Sequence, residues 1–262
     1  MSRLQFLLSK RWALFFLAVT LLTWLAWELG QWQFDRLEDR RDRNAQIQRN
    51  EELDPAPVQE VLSVGRPVDK ALEWRLVEAT GTYAVEDTVV VRYRTRDGGP
   101  GVDAVVPLVL DDGTSLLVDR GWWPTQNRGE VPEDLPDPPT GEVTITGWVR
   151  IDATGDAAQV TEQRTRAISS EEIGEALDRE VLRGFVDVAT EDPEAAEPLE
   201  RVELPDLDDG PHFFYGLQWW FFGGLAVFGF FYLLFDEWRD RRAASQAAEH
   251  AAVDREHDST EV

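Results

Sequence analysis

The architecture of this chain is decided by two apolar stretches, WALFFLAVTLLTWLAWELG at residues 12–30 and FFYGLQWWFFGGLAVFGFFYLLF at residues 213–235. About twenty apolar residues cross the hydrocarbon core of a bilayer as a helix, so each stretch is long enough to span it. The first stretch is longer than the apolar region of a cleaved signal peptide and has no small-residue cleavage site at its end. We therefore predict two retained transmembrane helices, at 12–30 and 212–235, with the lipid bilayer as a partner.

Basic residues outside the two stretches set the predicted orientation. They are Arg3, Lys10 and Arg11 before the first, and Arg239, Arg241 and Arg242 after the second. The positive-inside rule places both ends in the cytoplasm, and a long intervening segment crosses largely regardless of its own arginines. We expect a multi-pass protein of the cell (plasma or inner) membrane. Residues 1–11 and 236–262 are then cytoplasmic, with disorder from residue 243 onward, and residues 31–211 are extracytoplasmic.

Composition excludes several classes of function. The net charge is −24, which argues against a nucleic-acid partner because phosphates need a basic face. There is no cysteine and only the initiator methionine, so the soft ligands of Cu(I) and the thiolates of zinc or iron–sulfur sites are missing. Residues 31–211 hold 41 acidic and 19 basic side chains, a net charge of −22, so nearly all the acidity belongs to this segment.

The segment between the spans has the pattern of a β domain. Residues 35–50 are charge-dense and free of Gly and Pro, which predicts that the first helix continues through them. Alternating β-branched residues then predict strands at 76–83, 88–93, 104–110, 115–119, 143–149 and 182–188. Residues 98–101 (GGPG) are predicted to be a loop, and Ser169 is predicted to cap a short helix ending at Leu177. The predicted fold is two transmembrane helices flanking a mostly antiparallel β (α+β) domain, a small barrel or sheet with one or two short helices.

Catalytic residues are sparse. His250 and His257 lie in the predicted cytoplasmic tail, so His212 is the only histidine on the other side of the membrane. The sequence has no nucleophile elbow, phosphate-binding loop, dinucleotide fingerprint or metal-ligand spacing. We therefore predict that the chain is not an enzyme and has no catalytic residue.

His212, at the start of the second span, is the one candidate for chemistry. It shares a helix face with Tyr215 and Trp219 and with small residues further in, which a flat ligand or another helix could approach closely. One interpretation is an ordinary interfacial histidine in an aromatic belt. The other is an axial ligand of haem iron, which needs only one imidazole. Glu28 lies at a similar depth and is either a snorkelling acid or the acceptor for the other imidazole N–H. Arg36 and the neighbouring arginines could bind haem propionates, or they could be solvated partners of the neighbouring Asp and Glu side chains.

Six short motifs resemble one known family. They are LGQWQxxR at 29–36, GTY at 81–83, VPL at 106–108, LVDRGWWP at 117–124, GWVR at 147–150 and HFxYxxQW at 212–219. Their order, spacing and two-span frame resemble the Surfeit locus protein 1 family of cytochrome c oxidase assembly factors over nearly the whole chain. This sequence departs from the family in two places. Asp208-Asp209-Gly210-Pro211 precede the histidine, where the family frequently has an Asn. The family also has a basic residue a few positions beyond Arg36, and here Arg40 or Arg41 supplies it.

The resemblance implies an assembly factor for haem-copper (aa3-type) oxidase that handles haem a at the outer membrane boundary. Its implied partners are the catalytic subunit of the oxidase and the haem a synthesis or insertion machinery. The residues to which the haem site maps are His212 (axial to the iron), Tyr215, Gln218, Trp219, Glu28, Trp32 and Arg36. Two alternatives remain: an accessory subunit of the oxidase that does not bind free haem, and a membrane-anchored receptor, which a deep pocket in the β domain would favour.

Overall fold

The computed structural model describes residues 9–127, 129 and 131–258. These residues form two compact units. One is Arg43–Leu207, and the other consists of the described residues up to Asp42 together with those from Asp208 onward. The helices are α1 (Lys10–Glu51), α2 (Val58–Val61), α3 (Ser170–Leu177) and α4 (His212–Asp258). Expectations for residues 1–8 and 259–262, including the role of Arg3, lie outside the described residues.

The helical unit consists of α4 and the larger part of α1. Both helices are long and apolar enough to cross a membrane. Their large apolar side chains point outward, with Leu14 67% and Phe214 74% exposed, as expected for a surface in contact with lipid tails and not for the core helices of a soluble protein. The predicted continuation of the first helix to about residue 50 is confirmed.

The prediction of disorder from residue 243 is wrong for the part of the tail that the structure describes. Helix α4 continues without a break to Asp258. Six of residues 243–258 are Ala, and none is Gly or Pro. Ala has the highest helix propensity of all residues, so the backbone follows the span that precedes it.

Small residues allow α1 and α4 to approach each other closely. A Cβ atom at Gly30 would overlap the Trp220 ring, and one at Gly216 would lie 2.8 Å from the Phe34 ring. The Trp27 and Trp220 rings stack with their centroids 5.1 Å apart. Side chains of the first span therefore fill the small-residue face of the second span. Of the two neighbours considered from the sequence, a flat ligand and another helix, the structure has the helix.

The other unit contains the β domain. Its strands are β1 (Ala56–Pro57), β2 (Leu76–Tyr83), β3 (Val89–Arg96), β4 (Gly99–Leu110), β5 (Ser115–Pro124), β6 (Glu142–Arg150), β7 (Arg164–Thr165) and β8 (Phe185–Asp192). Strands β2, β6, β8, β5 and β4 pair in that order, and β4 pairs back to β2, so the five form a closed barrel. Most neighbours are antiparallel, with β5 and β8 parallel. The predicted β domain is confirmed, and of the two forms allowed for it the barrel is the one found.

Two apolar clusters lie on opposite faces of the barrel wall. Residues of alternating strand positions fill the interior, among them Val77, Leu108 and Val118, each at most 1% exposed. Leu117 faces the other way, into a second cluster that includes Ile173 of α3. Ser169 caps α3, as predicted, by accepting a hydrogen bond from the Glu172 N–H. Because successive side chains on a strand point to opposite faces, Asp119 lies on the outer face beyond Val118.

The predicted loop at 98–101 is wrong for three of its four residues. Gly99 to Gly101 are the first residues of β4 and pair with the end of β3. The turn is made one step earlier by Asp97 and Gly98, whose φ angles of 48° and 78° match the hairpin turn that suits twisted strands. Gly99, Pro100 and Gly101 are therefore strand residues that follow a turn, and the hairpin of β3 and β4 is longer than predicted.

Candidate functional site

His212 is the first residue of α4 and is held by a residue of α1. Its Nδ1 lies 2.9 Å from Gln33 Oε1, and the imidazole is half-buried. An amide oxygen accepts hydrogen bonds, so this contact favours the tautomer with the proton on Nδ1, in which the lone pair of Nε2 can bind a ligand. Histidines that bind metals have this arrangement, in which the second nitrogen donates to an acceptor that orients the ring.

Two arginines of α1 fix the segment that leads into His212. Arg40 donates to the Asp208 backbone oxygen and to Asp208 Oδ1, both at 2.6 Å. Arg41 donates twice to Asp209 Oδ2, at 2.9 and 2.7 Å, and this pairing holds the pKa of the Asp209 carboxyl below its usual value. Arg40 and Arg41 thus pair with the two acids that precede the histidine, each 168 residues away along the chain.

Gly210 completes the connection between these ion pairs and the histidine. Its N–H donates to Asp208 Oδ1 at 3.0 Å, and its φ is 65°, a conformation that favours glycine. A Cβ at this position would lie 3.4 Å from His212 Cδ2 and 3.6 Å from the Arg40 guanidinium. Gln33, His212, Arg40 and the 208–210 turn therefore form one contiguous cluster.

The other residues named from the sequence lie on the exposed surface of the helical unit. Trp32 is 51% and Tyr215 47% exposed, and Gln218 is also exposed. The Arg36 guanidinium lies over the Trp32 ring, 5.7 Å from its centroid. Trp219 is half-buried. These side chains do not enclose a cavity with His212 in the structure as described; they form an outward-facing surface of rings and one cation.

Glu28 does not take the role that was considered for it as acceptor for the imidazole. It is exposed and forms no hydrogen bond or ion pair within the described residues, and Gln33 makes that contact instead. The sequence contained a signal for Gln33, since it is a polar residue in the first motif, five positions after Glu28 and at the end of the apolar run. Its partner lies 179 residues away, which no local pattern reveals.

Comparison with known proteins agrees with the motifs. The sequence profile described as the SURF1 family matches residues 20–224, well over half of the chain. SURF1-like proteins of Mycobacterium bovis and Mycobacterium tuberculosis are each 30% identical to it over 248 residues, covering 92% of this chain and 90% of the relative. The match includes both the α1 residues and the start of α4 that build the His212 cluster. The chain belongs to the SURF1 family.

Proposed function

We propose that this chain is an assembly factor for haem-copper (aa3-type) cytochrome c oxidase that binds haem a and hands it over at the membrane boundary. The observation that carries the proposal is the Nδ1 contact of His212 with Gln33, which leaves Nε2 as a ligand for the iron. Family membership and the two apolar helices support it. Its partners are the catalytic subunit of the oxidase and the haem a synthesis or insertion machinery. The chain acts as a carrier and not as an enzyme.

The chemistry of the residues suits a cargo that must be released. A single neutral imidazole binds haem iron more weakly than two axial ligands would. The rings of Trp32, Tyr215 and Trp219 offer apolar faces for the macrocycle, and Gln218 adds a hydrogen-bonding group beside them. Arg36 is the arginine on this surface that is not committed to Asp208 or Asp209, and its guanidinium suits a propionate. We propose a cell-membrane location with both termini cytoplasmic and the β domain outside.

The test is the haem content of the purified full-length protein. We expect His212→Ala to lose co-purifying haem a, read from its absorption spectrum, while the circular dichroism spectrum stays that of the wild type. His250→Ala is the matched control and keeps its haem. Gln33→Leu removes the acceptor for Nδ1 and should weaken haem binding by about 10–100-fold, as loss of an outer partner of a ligating histidine does.

Other outcomes point to other functions. An unchanged spectrum in His212→Ala would refute the ligand assignment. If that variant were also recovered in stoichiometric amounts with active oxidase, the chain would be an accessory subunit that does not bind free haem. A receptor function would be favoured by binding of a free small-molecule ligand in the β domain, where Arg94, Asp119 and Phe185 line a cleft of about 410 Å³.

A further inference from the structure

Glu28 is the only Asp, Glu, Lys or Arg in either of the two apolar stretches, residues 12–30 and 213–235. Its side chain is exposed and has no hydrogen bond or ion pair within the described part of the chain. An acidic side chain in a membrane span is costly, and it almost always pairs with another group instead of facing lipid. Because Gln33 takes the imidazole contact that was considered for Glu28, we look for its partner in another molecule.

Contacts between the two long helices show how deep Glu28 lies. A Cβ atom at Gly30 would lie 3.3 Å from the backbone oxygen of Gly216, and one at Gly223 would lie 3.2 Å from the Ala26 Cβ. Glu28 is therefore midway between these two levels, six to seven residues inside the second apolar stretch. At a rise of about 1.5 Å per residue, this is about 10 Å beyond the start of that stretch. The carboxylate thus leaves α1 at the level of apolar side chains of α4.

Glu28 points away from α4, on a face of α1 that has the spacing of a helix-packing surface. Ala26 and Gly30, which contact α4, are each two positions from Glu28, or about 200° around the helix. The residues that precede Glu28 on its own face follow at intervals of four and three, and each is more than half exposed: Leu17 (63%), Leu21 (58%) and Trp24 (57%). Alternating intervals of three and four residues are typical of the surface along which one helix packs on another.

The chemistry of this face specifies what can cover it. Trp24 lies one turn before Glu28 and offers an aromatic ring to a guanidinium or ammonium group beside the carboxylate. Thr20 and Gln31, the other polar side chains near this face, already donate to acceptors of α1 itself. A single polar residue in such a surface fixes the register of the partner helix. The complement is therefore an apolar helix with one basic side chain at the level of Glu28.

We propose that this face of α1 packs against a transmembrane helix of a partner protein and that an Arg or Lys of that helix pairs with Glu28. Two opposite charges at the same depth offset the cost that each would have alone in lipid. A second copy of this chain is a poorer match, since its apolar stretches contain no basic residue. The inference rests on the two helices crossing a membrane and does not depend on haem binding at His212.

The test is association of the full-length protein with a model helix in lipid vesicles. The probe is an apolar peptide of about twenty residues with an arginine near each end, so that either orientation presents one at the level of Glu28. Because the chain has no cysteine, Ser245→Cys accepts a single dye, and energy transfer to a dye on the peptide reports association. We expect saturable energy transfer. The same peptide with citrulline, which has the shape of arginine without its charge, should associate more than about tenfold more weakly.

Variants of the protein locate the contact. Glu28→Gln should weaken association of the arginine peptide by more than about tenfold, because the arginine then lacks its counter-charge. Glu38→Gln is the matched control, since it removes an exposed acid of the same helix outside the apolar stretch, and it should leave association unchanged. Trp24→Leu keeps the face apolar and should weaken association of the arginine peptide but not of the citrulline peptide. Circular dichroism reports whether each variant is folded.

The proposal is overturned if the arginine and citrulline peptides associate equally, since Glu28 would then reach the headgroups and need no cation. It is also overturned if energy transfer does not exceed that of random mixing, if a folded Glu28→Gln variant associates like the wild type, or if Glu38→Gln weakens association as much. Energy transfer between two labelled copies of the chain that is lost in Glu28→Gln would show that a second copy covers this face, and would refute the partner protein.

Discussion

Replacement of Asp119 by Asn should make the β domain more stable. The side chain is 2% exposed and forms no ion pair in the described residues, and its one hydrogen bond, from Gly121, can still be accepted by the Asn oxygen. Burial and the charges of Asp103 and Asp187 disfavour the charged carboxylate more than Arg94 favours it, so removing the charge should stabilise the domain by about 1–3 kcal/mol. For a domain of this size each kcal/mol raises the melting temperature by about 2–4 °C, so we expect an increase of roughly 2–12 °C at pH 8.

The stabilisation by Asp119→Asn should depend on pH. Because burial raises the pKa of Asp119 in the folded state, the folded protein holds this proton more tightly than the unfolded chain does. The wild type is thus free of the penalty below the unfolded pKa of about 4 and acquires it as the pH rises through the folded pKa. The advantage of Asp119→Asn should be largest at pH 8 and disappear towards pH 4.

Asp112→Asn is the matched control, because Asp112 lies in the same domain and its pKa is shifted in the opposite direction. Hydrogen bonds from Thr114 lower the pKa of Asp112, so its contribution to stability is present at neutral pH and is lost on acidification. This variant should be no more stable than the wild type at pH 8. Thermal unfolding of the full-length protein in detergent, followed by tryptophan fluorescence between pH 4 and 8, measures both. An Asp119→Asn variant that is less stable at pH 8, or whose advantage does not change with pH, would refute the reasoning.

Two packing features yield further predictions. Gly30→Leu places atoms where the Trp220 ring lies and should lower the thermal midpoint of the helical unit, followed by circular dichroism at 222 nm, since overpacking costs about 1–3 kcal/mol. Gly229→Leu, at a position with open space around it, should not, and equal effects would contradict the packing described. Arg120→Met leaves Glu191 buried without its ion pair and should lower the free energy of unfolding in urea by about 3–5 kcal/mol. The double variant Arg120→Met/Glu191→Leu should recover most of that loss, and a single variant as stable as the wild type would show that the pair contributes nothing.

The sequence predicted the elements whose signals are local. Period-two alternation placed β2 at 76–83, as the structure has it, because one face of that strand is buried and the other is not. Ser169 was identified as a helix cap from its spacing to Glu172, three residues away. Both long apolar helices followed from hydropathy alone, because each apolar run reaches the length that crosses a bilayer core.

Elements that depend on distant contacts were missed or cut short. Strand β5 was predicted to end at residue 119 but runs to Pro124, because pairing with β4 continues through the Gly and Trp residues that follow. In the helical unit the sequence identified His212 but not Gln33, whose importance comes from a contact across 179 residues. Asp103, Asp119 and Asp187 are spread along the chain, and only the strand order of the barrel makes them neighbours.

The closing pair of the barrel, β2 with β4, spans only Gly81 to Tyr83, whereas the pairing of β2 with β6 extends from Leu76 to Thr82. A Cβ atom at Gly81 would overlap the Val109 backbone oxygen, so any other residue there forces the two strands apart. The ring would then become an open sheet with two unpaired margins, and exposed strand margins recruit other chains into aggregates. The GTY motif at 81–83 therefore keeps the barrel closed and protects the domain from aggregation through exposed strand edges.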